Sequence, residues 1–91
     1  MRLIWLPRAQ ADLVRLHQFL APKSRKAATN SLRSIRAGVR KLLDYPRRGE
    51  RMERYDPREV RRFLIVDYEV QYELTGDTIF ILRIWHTREE R

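Results

Sequence analysis

A chain of 91 residues with no cysteine has neither disulfides nor thiolate metal sites to staple it, so its stability rests on a core that buries about 60–70% of the surface exposed by the unfolded chain. The net charge of +8 is lopsided: residues 1–50 carry 12 basic and 3 acidic groups, a net of +9, whereas residues 51–91 carry 8 and 9, a net of −1. Such a field favours nucleic acid or an acidic protein segment as partner. No apolar run is long enough to span a bilayer and no signal peptide is recognisable, so a cytoplasmic chain of one domain, residues 1–91, without a membrane partner is expected.

Residues 3–6, Leu-Ile-Trp-Leu, form a short strand candidate stopped by Pro7, a residue that fits the first turn of a helix because the amide it lacks has no partner there. A helix over residues 8–20 follows, with Ala9, Leu13, Leu16 and Leu20 on one face and Asp12 near the first turn, where a negative charge is favourable. Ala21, Pro22 and Lys23 break it, and Ser24 is placed to cap the next helix. That helix, residues 25–44, sets Ala28, Leu32, Ile35, Val39 and Leu42 on one stripe. Lys26, Arg33, Arg36 and Arg40 occupy another, turned about 100° or more from the first. Gly38 inside it costs about 1 kcal/mol relative to alanine and reads more simply as a tolerated flaw than as a point of close backbone approach.

Tyr45, Pro46 and Gly49 end the second helix, and a patternless polar connection runs to Arg58, with Met52 and Tyr55 as its only anchors. From Glu59 the hydrophobic period becomes two. Residues 59–65 form a strand interrupted by Arg61 and Arg62, which point to opposite faces. Residues 68–74 alternate so regularly that Tyr68, Val70, Tyr72 and Leu74 face the core, as in a strand buried on one side. Thr75, Gly76 and Asp77 turn the chain, and residues 78–85, apolar on nearly every position, return as a strand flanked by neighbours. The expected class is α+β in the order β-α-α-β-β-β, a helical hairpin packed on a small, mostly antiparallel four-stranded sheet, with the first strand beside the last.

This order, with Trp5, Ala9, Asp12 and Leu13 at the start, Leu43, Tyr45, Pro46 and Gly49 after the second helix, Arg61 or Arg62, Tyr68 and Tyr72 in the meander, and residues 81–86 (Ile-Leu-Arg-Ile-Trp-His) at the end, resembles the RelE/ParE superfamily of toxins from type II toxin–antitoxin systems. The resemblance implies a growth-arresting toxin neutralised by a cognate antitoxin through a flexible, acidic segment, with operator DNA bound only through that antitoxin. One branch cleaves messenger RNA on the ribosome; the ParE-like branch poisons DNA gyrase.

For RNA cleavage, a group must take the 2′-hydroxyl proton and cations must stabilise the phosphorane-like charge. Arg62 and Arg88 match basic positions of the ribonuclease branch, and His86 has the chemistry of an acid or base. The rest departs from that branch: Glu69 stands where it has arginine, Val60 where it has lysine, and no tyrosine follows His86. The sequence therefore favours gyrase poisoning without a catalytic set, with Arg61, Arg62, Arg83, Trp85, His86 and Arg88 as residues for target or antitoxin binding. A ribosome-dependent endoribonuclease using Arg62, His86 and Arg88 stays open, as does a non-toxic module binding nucleic acid through Lys26, Arg33, Arg36 and Arg40. Two distant histidines without cysteine argue against a transition-metal site, and no cofactor is expected.

Overall fold

Two helices cover one face of a five-stranded sheet in the computed structural model, which describes residues 1–89. The elements in chain order are β1 (Arg2–Trp5), α1 (Pro7–Leu20), α2 (Arg25–Arg40), β2 (Glu50–Arg51), β3 (Glu59–Ile65), β4 (Tyr68–Thr75) and β5 (Thr78–His86), in spatial order β1-β5-β4-β3-β2. β1 runs parallel to β5, with Leu3 opposite Ile79, and the other pairings are antiparallel. The α+β class and the placement of the first strand are as expected.

The sheet has five members rather than four. Glu50 and Arg51, inside the connection that reads as patternless, pair with Arg62 and Arg61 of β3, a two-residue ladder too short to leave a period in the sequence. α2 stops at Arg40 and closes as a 3-10 turn, Lys41–Leu43. Ser24 does cap it, its hydroxyl accepting from the Ala27 amide at 3.1 Å.

Ala9, Leu13 and Leu16 of α1 and Ile35, Val39 and Leu42 from α2 and its last turn pack on Val70, Tyr72, Leu74, Ile79, Ile81 and Ile84 of the sheet. Gly38 sits where α2 crosses β3: a Cβ there would lie 2.6–3.0 Å from three side-chain carbons of Ile65. It is thus a point of close approach, not a tolerated flaw, and its partner lies far off in sequence.

β4 is buried on both faces, not one. Its outward residues Glu69 and Gln71 are only 7% and 6% exposed. The connection after β2 folds back over this side: the Met52 amide bonds to the Val60 carbonyl at 2.8 Å, and Tyr55 shares a hollow with Gln71, Leu82 and Arg83. Met52 and Tyr55 thus do anchor that connection. A bulge between β4 and β5, where pairing passes from Gln71–Arg83 to Tyr72–Ile81, restores the facing of Ile84 and His86 towards the helices after Leu82.

Candidate functional site

The expected functional residues fall on three separate surfaces. At the far end of β5, beyond the reach of β1, the strand edge is closed by side chains of α1 and the C-terminal turn. Asp12, 4% exposed, accepts from the Ile84 amide at 2.8 Å and from Arg83 at 2.8 and 3.1 Å. Arg15 donates to the Ile84 carbonyl at 3.0 Å and pairs with both Asp12 and Glu89. Glu89 in turn accepts from the His86 amide at 3.0 Å. Three backbone groups of an open strand edge are therefore satisfied by charged side chains, which blunts the edge against pairing with another chain.

Burial pushes the Asp12 carboxyl up, but the bonds from Arg83, the Ile84 amide and Arg15 outweigh it and hold its pKa below the ordinary value. Glu89 is likewise held low, burial opposing the bonds from Arg15 and the His86 amide. Asp12 is not a first-turn residue serving the helix dipole; it lies on the buried side of α1, between Ala9 and Leu16. A carboxylate on an otherwise apolar stripe was the signal for this role.

Around this closure lie the C-terminal candidates. Arg83 stacks over Trp85 at 4.8 Å while bound to Asp12, which makes it a brace of the edge. His86 packs edge-on against Tyr68 at 5.4 Å, and its Nδ1 accepts from the Arg88 amide at 3.1 Å. Arg15, Phe19, Leu20, Lys23, His86 and Arg88 line a shallow hollow on the helix side, in which Phe19 is exposed. Glu90 and Arg91 of the charged tail lie outside the described residues.

The second surface is the opposite face of the sheet. Arg62, opposite Gln71, faces away from the helices and pairs with Glu50 at 3.5 Å and with Glu69 at 3.8 Å. Glu69, which stands where RNA chemistry calls for a cation, supplies a carboxylate to the one strand arginine that matched. Val60 is fully buried on the same side. Arg62 and His86 thus face opposite sides of the sheet, so the expected ribonuclease set does not converge. Arg61 points to the helix side and is a bracket: it bonds Glu59 at 2.8 Å and the Gly49 carbonyl at 2.7 Å. Tyr72 completes that bracket, its hydroxyl donating to the Pro46 carbonyl at 2.8 Å and accepting from the Gly49 amide at 3.0 Å. Burial raises the Tyr72 pKa against the opposing Gly49 bond.

The third surface is the outer stripe of α2. Arg33, Arg36 and Arg40 line a hollow with Ala37, Lys41 and Asp44, and Lys26 extends the row towards the helix start. All of these basic side chains are exposed. Among the described residues no cluster of histidine, aspartate and glutamate is placed to hold a metal ion, and no helix is long and apolar enough to cross a membrane.

A small α+β domain of this order, with an Asp12–Arg83 closure and a Tyr72–Gly49 bracket, has the build expected of the superfamily that the sequence resembles. Residues 3–91 match the family described as "ParE toxin of type II toxin-antitoxin system, parDE", and the chain belongs to that family. Among solved structures it is similar to a chain of the chromosomal ParDE toxin–antitoxin system from P. aeruginosa, at 24% identity and a TM-score of 0.78, covering 94% of this chain and 95% of that one. No curated protein matches the chain.

Proposed function

We propose that this ParE-family toxin arrests growth in the cytoplasm by binding and poisoning DNA gyrase, and that a cognate antitoxin neutralises it through a flexible, acidic segment. The observation that carries this reading is the separation of Arg62 from His86 and Arg88. A phosphoryl transfer needs its acid, base and charge-stabilising cations around one phosphorus atom, and here the sheet itself stands between them. The Glu69 carboxylate beside Arg62 further lowers the attraction of that face for a phosphate.

What is left for activity is surface. The helix-side hollow pairs an exposed aromatic, Phe19, with the cationic Lys23 and Arg88, a combination suited to a protein contact in which an aromatic anchor supplies most of the energy. The hollow borders the braced edge of β5 through Arg15, His86 and Glu89.

Transcript-end mapping in cells expressing the chain tests the reading. Growth should stop with messages intact, and His86→Ala with Arg62→Ala should weaken the arrest by degrees without abolishing it. New transcript ends, lost together with toxicity in that double variant, would move the assignment to RNA cleavage.

A further inference from the structure

We infer that the outer stripe of α2 is a binding surface for the phosphate backbone of duplex DNA, used by the toxin itself. Five of the sixteen residues of α2 are basic and none is acidic. Arg33, Arg36 and Arg40 recur at steps of three and four, so neighbouring guanidinium groups repel one another along the helix. Arg25 and Lys26 occupy the first turn, where the helix dipole disfavours positive charge. Among the described residues none of these side chains forms an ion pair, whereas Arg15, Arg47, Arg58, Arg62 and Arg83 all do. Asp44, the one carboxylate bordering the stripe, forms none either.

A helix face kept only for solubility needs charges of both signs, which also support the helix through pairs four residues apart. This one carries a single sign at a cost to folding. Such an arrangement is explained by an anionic partner that lies along it. From Lys26 to Arg40 the stripe runs about 21 Å, enough to follow several successive phosphates of one strand, which rise about 3.4 Å each. The stripe carries no aromatic side chain on which unpaired bases could stack, which favours a duplex over a single strand. Arginine and lysine side chains meet phosphates whatever the sequence, so contact to the backbone dominates, with Asn30, exposed between Lys26 and Arg33, the one side-chain amide of α2 along the row. The inference does not depend on gyrase being the target.

Fluorescence anisotropy of a labelled duplex of arbitrary sequence, titrated with the full chain, tests it. About four phosphate contacts predict a slope of log affinity against log salt near −3.6, hence a loss of about 100-fold between 50 and 200 mM salt. The triple variant Arg33→Gln, Arg36→Gln, Arg40→Gln should weaken binding at least ~10-fold and flatten the slope by about 3. A variant of equal net charge, Arg2→Gln, Arg8→Gln, Arg54→Gln, should bind almost as the parent does. Circular dichroism should show the stripe variant folded, because its side chains brace nothing. Three results would overturn the inference: no binding at 50 mM salt, equal loss in both triple variants, or equal competition by single-stranded DNA. So would a stripe variant that keeps its DNA affinity but no longer binds an acidic peptide, since the stripe would then serve a protein partner.

Discussion

Along the edge of β5 and across β3, arginine is used as a structural part: Arg83 and Arg15 close a strand edge through Asp12 and Glu89, and Arg61 fixes the connection at Gly49. On α2 the same residue type stands exposed, and among the described residues no carboxylate pairs with it. The difference teaches that net charge alone could not locate function in this chain. Of its 20 basic residues, those that sequence reading placed at the target site on the strands are partly committed to holding the fold, while the α2 stripe is committed to nothing internal.

The largest expected effect lies in the paired region. Asp12→Ala removes the acceptor of the Ile84 amide and of Arg83, leaving a buried donor and Arg83 without its carboxylate while Arg15 keeps only Glu89, and should cost about 3 kcal/mol in urea unfolding. Rescue by Asp12→Asn should be partial, since an amide can still accept from Ile84. A stability unchanged by Asp12→Ala would erase the contrast between the two regions.

Next comes pH. Asp12, Glu59, Glu73 and Glu89 all have pKa values held below ordinary: burial is outweighed by arginine and backbone bonds at Asp12 and Glu89, and the arginine bonds lead at Glu59 and Glu73. Folded-state values below those of the unfolded chain mean that this stabilisation is full above about pH 5 and is lost as pH falls through the depressed values. Thermal melts from pH 7 to pH 2 should show that fall, and Asp12→Asn should flatten it.

Gly38→Ala tests packing between the regions. The gain in helix propensity, about 1 kcal/mol, is set against the clash with Ile65, which overpacking puts at about 1–3 kcal/mol, so the variant should be slightly less stable. The smallest effect belongs to the stripe: Arg36→Gln should leave the melting temperature unchanged or raise it slightly, because it relieves repulsion and breaks no bond.

Much of this was legible in the sequence, and for identifiable reasons. Period-two runs and a glycine turn located the meander, and apolar stripes with Ser24 as cap located the helices, because both patterns are local. β2 was hidden because two residues carry no period. The burial of Gln71 and the contact of Gly38 with Ile65 depend on segments that meet only after folding. At the candidate site, Glu69 and Val60, standing where the ribonuclease branch of the resembled superfamily has basic residues, already argued against RNA chemistry. That Arg61 braces Gly49, or that Arg62 and His86 face opposite ways, required strand register and the bulge after Gln71, which a single sequence does not specify.

Whether the toxin works by binding is tested most directly by a supercoiling assay with purified gyrase, DNA and this chain. The predicted result is inhibition with trapped double-strand breaks, weakened by degrees in His86→Ala, Arg88→Ala and Phe19→Ala and abolished in none of them. Undisturbed supercoiling by a preparation that still arrests growth when expressed would contradict it.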